Sequence, residues 1–229
     1  MRRAPIGRVL RDNGLGIAFG LLFLAALAGQ AVAGNADFND QQLARGGQTI
    51  GLAAYVTSSA FGVDVAENWQ SEYLQFLLYI VATVWLVQRG SPESKPVDKV
   101  GLESDEEQKT GRYADERSPL WARVGGWRTR VYSHSLALTM GLLFAMSWGA
   151  QSVAGWARYN AEQLGDFADP VRWTAYLGSP DFWNRSLQNW QSEFLAVGSM
   201  AVLSVYLRER GSPESKPVGG PHAVTGETG

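Results

Sequence analysis

The side chains best suited to chemistry are acids and amides that come in pairs. Glu72 and Glu193 each stand one residue before a long apolar run. Asn68 and Asn189 lie four residues earlier, on the same helical face. Gln30 and Gln151 stand near the far ends of two further apolar runs. Ionisable groups near membrane depth are costly and raise a functional question. A convergence of these six would form a polar vestibule for a cation, a proton or a small polar solute. In the structural alternative the amides bond across helices and each glutamate sits among lipid headgroups.

Nothing else in the chain points to catalysis. There is no Walker loop, dinucleotide fingerprint, H-E-x-x-H or G-x-S-x-G elbow, and no oriented nucleophile beside the glutamates. No enzyme is expected. The chain has no Cys, so disulfides, thiolate metal sites and iron–sulfur clusters are excluded. His134 and His222 are far apart in sequence, which argues against an imidazole metal centre. No cofactor is expected, and a net charge of −2 argues against a nucleic-acid partner.

Four apolar stretches must position these groups: Leu15–Ala33, Tyr73–Val87, Leu136–Ala154 and Phe194–Leu207. The first and third have close to the ~20 residues that a spanning helix requires. The others reach that length if counted from Trp69 to Arg89 and from Trp190 to Arg210. Trp then sits at headgroup level and Arg snorkels, making these four residues interface anchors. Ser58 and Ser179 are N-cap candidates, and Pro180 suits a first helical position. The pattern predicts helices from about Ser59 to Gln88 and from about Pro180 to Glu209, long enough to project beyond lipid. The first and third helices are expected to run past the membrane until Gly46-Gly47 and Asp169-Pro170.

From Leu15 to Val97 the chain repeats without a gap 121 residues later, with 35 identities in 83 positions. The chain therefore reads as a duplicated two-helix unit. Ala31-Val32-Ala33-Gly34, behind a basic N-terminus, also looks like a secretory cleavage site. Its context recurs in mid-chain, with Gly20-Leu21-Leu22-Phe23 matched by Gly141-Leu142-Leu143-Phe144, so the segment is assigned to the repeat as a retained helix. Arg89-Gly90-Ser91-Pro92-Glu93-Ser94-Lys95-Pro96-Val97 recurs intact as residues 210–218. Gly and Pro stop a helix. Glu93, Lys95, Glu214 and Lys216 are candidates for a cytoplasmic docking element. The local alternative pairs Glu93 with Lys95 and turns the chain away from the membrane.

The basic residues set the orientation. Sixteen Lys and Arg fall in the N-terminal segment, the linker and the C-terminal segment. Only Arg45, Arg158, Arg172 and Arg185 fall in the two intervening loops. The positive-inside rule puts both termini and the linker in the cytoplasm. The expected segments are residues 1–13 (cytoplasmic), 14–97 (first repeat), 98–130 (charged linker), 131–218 (second repeat) and 219–229 (disordered tail). Two units facing the same way imply a pseudo-twofold axis along the membrane normal.

Several of these elements resemble an uncharacterised family of bacterial four-helix integral membrane proteins, a domain of unknown function. They are the Gly-Gln-x-x-x-Gly end of the first helix, Tyr55 and Tyr176 with a downstream Phe, and the duplicated N-W-x-S-E and R-G-S-x-E-S-K-P motifs. The resemblance covers about Leu15 to Val218. Asn35 and Gly62 depart from it where the second unit has Trp156 and Trp183. It implies a bacterial inner-membrane location and four helices, and carries over no activity. The expected protein is an all-α, four-span bundle of two tandem parallel helical hairpins. Its expected role is that of a structural or interaction component, in contact with lipid and with a second copy or another membrane protein. A small channel or transporter is the alternative.

Overall fold

A computed structural model describes residues 6–227. Among the described residues every regular element is a helix and there is no strand. Arg2, Arg3 and the last two residues of the tail lie outside the described residues. Two helices of 31 residues, α2 (Gly14–Ala44) and α7 (Ser135–Gly165), are preceded by α1 (Ile6–Asp12) and the linker helices α5 (Leu120–Arg123) and α6 (Gly126–Ser133). Two helices of 27 residues, α4 (Ser59–Trp85) and α9 (Pro180–Tyr206), follow the short helices α3 (Leu52–Val56) and α8 (Trp173–Tyr176). At 1.5 Å per residue the long helices measure about 46 Å and about 40 Å. α2 and α7 are long and apolar enough to cross a membrane.

Ser58 and Ser179 cap as expected: their hydroxyl oxygens accept the Phe61 and Phe182 N–H groups at 3.3 and 3.2 Å. Pro180 opens its helix, where its missing N–H costs nothing. The other ends differ from expectation. α4 stops at Trp85 rather than Gln88, and α9 at Tyr206 rather than Glu209. The cause lies in the motif that follows. Ser94 and Ser215 hydroxyls accept the Gln88 and Glu209 N–H groups at 3.1 and 3.0 Å, drawing Leu86 and Leu207 into extended backbone. Gly90 and Gly211 turn the loop at φ of 88° and 84°, which a side chain would oppose. α7 ends at Gly165, ahead of the expected break at Asp169-Pro170.

Within each unit a loop is pinned to the preceding long helix. The Asn39 amide donates to the Ile50 carbonyl at 3.0 Å and accepts its N–H at 2.8 Å. Asn160 does the same with Val171 at 3.0 and 2.8 Å. Asn35 and Trp156, which differ between the units, donate to the same two carbonyls at 3.1 and 2.7 Å. The loop then returns Tyr55 onto Gly34, and Tyr176 onto Gly155. Both tyrosines are buried.

α4 is the centre of the packing. It lies along α7 and more briefly against α9, while α2 leans mainly on α3. Small residues let α4 and α7 approach closely. A Cβ at Gly62 would lie 3.6 Å from that of Ala154, and one at Gly141 would lie 3.7 Å from Leu77. A twofold relation would place α2 on α9 as α7 lies on α4. No comparable contact forms, so the expected pseudo-twofold axis is not expressed in the packing. The linker holds two 3-10 turns and two short helices, and Ser104 and Glu107 close one of its turns. The tail, expected to be disordered, lies back on the chain up to Glu227. There Gly226 N–H donates to the Ser91 carbonyl.

Candidate functional site

The helix ends bring together some of the expected residues and separate others. Asn68 and Asn189 spend their amides on carbonyls of their own helices, those of Asp64 and Arg185, at 2.8 and 2.9 Å. Glu72 is exposed. Glu193 reaches the Ser71 hydroxyl at 3.4 Å. Gln30 is half-buried on α2. Gln151 alone of the six is fully buried.

Around Gln151 runs a polar seam that sequence reasoning missed in large part. Gln70, Ser71, Ser152 and Ser186 are buried with it. The Trp190 indole donates to Gln70 Oε1 at 2.8 Å, so this expected lipid anchor turns inward. Trp148 donates to Ser186 Oγ at 3.3 Å, and Gln151 Nε2 donates to the same oxygen at 3.4 Å. The rings of Trp148 and Trp190 lie 5.8 Å apart and cover the seam. Gln70 Nε2 and Gln151 Oε1 are left without a protein partner. One is a donor and one an acceptor, and burial makes each costly.

Above the seam is a charged collar. Arg158 pairs with Asp64 at 2.8 Å and with Glu162 at 3.0 Å, tying α7 to α4. Arg185 pairs with Glu67 at 3.2 Å and with Asp181 at 3.4 Å, tying α9 to α4. Burial lifts the Asp64 and Glu67 carboxyls above their ordinary range, with Arg158 and Arg185 respectively opposing it. Tyr176 donates to Asp181 at 3.1 Å. Burial and that carboxylate hold its hydroxyl protonated well above the usual tyrosine range.

At the opposite end the two docking candidates meet each other. Ser91 and Ser204 hydroxyls lie 3.4 Å apart, and Gly90 N–H donates to Thr225 of the tail at 2.9 Å. Lys95 does not pair with Glu93. It reaches Glu103 at 2.9 Å and the Gly101 carbonyl at 3.0 Å. Lys216 is buried, its three N–H bonds taken by the carbonyls of Pro221, His222 and Val224 at 3.2, 2.9 and 3.3 Å. Glu93 accepts from the Tyr79 hydroxyl. Its carboxyl is held above the ordinary range by burial, opposed by that hydrogen bond and reinforced by the nearby Glu214. Glu214 is exposed, as are Arg89 and Arg210. Trp69 is partly exposed and meets Phe23. The recurring motif is therefore a clasp, with most of its functional groups occupied within the chain. Beside it the linker, the C-terminal end of α4 and the N-terminal end of α7 enclose an open cavity of about 650 Å³, whose charged lining includes Lys95, Glu103 and Arg130.

The collar left only a partial trace in the sequence. Arg158 and Arg185 each stand four residues from an acid on their own helix, Glu162 and Asp181, but their ties to Asp64 and Glu67 depend on which helices pack. The seam carried a weaker signal, because Gln70 and Gln191 occupy identical motifs and only Gln70 is buried. No curated protein and no solved structure matches the chain. A family model does match: over residues 6–227 the chain belongs to the family known as Domain of unknown function (DUF6766).

Proposed function

We propose that the protein is a four-span component of a bacterial inner membrane. It would be built as two tandem parallel hairpins, with both termini and the linker cytoplasmic, and would serve a structural or interaction role without catalysis. The observation that carries this reading is the seam. Its polar side chains are buried under Trp148 and Trp190 and bonded across α4, α7 and α9, as in a helix contact built for adhesion. The distribution of bases supports the orientation.

Because the chain has no Cys, any introduced thiol is unique. Single cysteines at Gly47 and Ala168 should react with an impermeant maleimide in spheroplasts. Cysteines at Glu106 and Gly219 should react only after permeabilisation. Labelling of Glu106→Cys from outside would overturn the orientation. In proteoliposomes the protein should give no flux of K⁺, Na⁺ or H⁺ above that of empty vesicles.

The unpartnered Gln70 Nε2 and Gln151 Oε1 favour a second reading, a path for a proton or a small polar solute through the seam. Flux in the parent that Gln70→Leu and Gln151→Leu both abolish would replace the first reading with the second.

A further inference from the structure

We propose that two copies of the protein associate through α2 of one and α9 of the other, in a contact that repeats the α4–α7 contact within each chain. This rests on reading the chain as a tandem repeat in a membrane. The α4–α7 contact sets the second helix of unit one against the first helix of unit two. It is a head-to-tail contact, and such contacts leave free ends unless a ring closes. The free ends here are α2 and α9. Repeating the step places the α2 of another copy on α9. That copy's own α9 then receives the first α2, which closes a ring of four units in two chains.

The faces left open match the faces already used. α4 buries Val63, Ala66, Gln70 and Ser71, while their counterparts Asn184, Leu187, Gln191 and Ser192 on α9 are exposed. α7 buries Ser147, Gln151, Ser152 and Gly155, while α2 buries no residue at all. Trp183 and Leu187 on α9 are 40% and 53% exposed, Trp183 with one edge of its ring against Trp148 of its own chain.

Charge agrees with this pairing. Arg158 on α7 meets Asp64 on α4 at 2.8 Å. Their counterparts are Asp37 on α2 and Arg185 on α9, the same ion pair with its signs exchanged. Asp37 is exposed and accepts the Gln41 amide of its own helix. Arg185 holds Glu67 and Asp181, and its five N–H donors leave capacity for a third acid. Where Gly141 meets Leu77, the counterparts are Gly20 and Gly198. Nothing lies within 4 Å of a Cβ built on either.

The test uses the full chain in native membranes. Gly62→Cys/Ala154→Cys in one chain should form an intrachain disulfide, since the two Cβ positions are 3.6 Å apart. The counterpart pair is Ala33→Cys and Trp183→Cys, carried on separately tagged chains and coexpressed. The expected result is a disulfide joining the two tags. Gly20→Cys with Gly198→Cys, joined by a short thiol cross-linker, repeats the test at positions where the added side chain meets nothing. Asp37→Arg should lower the cross-linked yield by on the order of tenfold. If residues 33 and 183 join only when both cysteines are on one chain, the chain closes on itself and the proposal fails. If the 62–154 bond forms and neither counterpart pair joins, lipid covers α2 and the proposal fails alone. Failure of the 62–154 bond would overturn the packing on which the repeat argument stands.

Discussion

Gly155→Ala is the sharpest test of how the loop between α7 and α9 is fixed to α7. A methyl group at Gly155 would overlap the Tyr176 hydroxyl and lie 3.1 Å from Cζ. Tyr176 is fully buried and cannot step aside without leaving Asp181, to which it donates at 3.1 Å. Overpacking costs about 1–3 kcal/mol. Loss of a hydrogen bond to a charged group costs about 1.5–3 kcal/mol more. The helix propensity of Ala returns up to about 1 kcal/mol. The net expectation is a loss of about 1.5–6 kcal/mol. Gly149→Ala is the control, because nothing lies within 4 Å of its Cβ, and only the propensity gain remains there. Gly34→Ala meets Tyr55 in the same way, but the counterpart of Asp181 is Ala60, so no such bond is lost and the cost should be smaller. Unfolding in detergent, followed by tryptophan emission, measures all three. In the background of Tyr176→Phe, which removes the overlapping oxygen, Gly155→Ala should cost at least about 1 kcal/mol less. Equal stability of Gly155→Ala and Gly149→Ala, or strict additivity with Tyr176→Phe, would refute the argument.

Two further outcomes follow from the loop clamp and the clasp. Asn160→Ala removes a donor and an acceptor that Val171 uses together and should cost about 1–3 kcal/mol, while Asn160→Asp, which keeps only the acceptor, should cost less. Unfolding midpoints of the three proteins decide the order. The Glu93 carboxyl holds its proton more tightly folded than unfolded, because burial, with Glu214 nearby, raises its pKa. Folded protein therefore binds more protons between the ordinary carboxyl pKa and the raised one, and stability falls as pH rises through that window. Glu93→Gln should flatten this slope in melting curves taken from pH 4 to pH 8. An unchanged slope would show that the clasp does not confine Glu93.

The helix starts were legible because capping is local: a Ser hydroxyl three residues before the N–H it accepts can be seen without a fold. The helix ends were not. Gly90 and Gly211 mark a stop, but the chain leaves the helix four residues earlier, pulled by Ser94 and Ser215, which lie beyond the turn. Trp190 was read as a lipid anchor because Trp favours headgroups. Its indole instead faces Gln70, and only the rotation of α9 about its axis decides between these. Arg158 and Arg185 entered the sequence reading as charges that set orientation. Their roles as ties depend on which helices pack, and spacing along one helix does not give that. Asn35 departs from the family pattern where the second unit has Trp156. Each keeps one N–H donor aimed at the same carbonyl, so the hydrogen bond is retained while the residue type is not.

The pentapeptide Asn-Trp-Gln-Ser-Glu shows why a duplicated motif need not make a duplicated site. In α4 the Trp is partly exposed and the Gln buried; in α9 the Trp bonds that Gln and its own Gln191 is exposed. Successive helical residues point about 100° apart, so identical residues have been turned to different neighbours. A functional requirement acting within one chain would constrain Gln70 and leave Gln191 free to become any polar surface residue. Its identity in both units instead has a physical reason if both faces are used. A second copy laid on α9 would cover Gln191, Leu187 and Trp183 together and give the exposed motif a neighbour comparable to the one α4 already has. The seam and the open face would then be one contact surface used twice, once within the chain and once between chains. The polar residues would serve mainly to fix which helices meet and in what register.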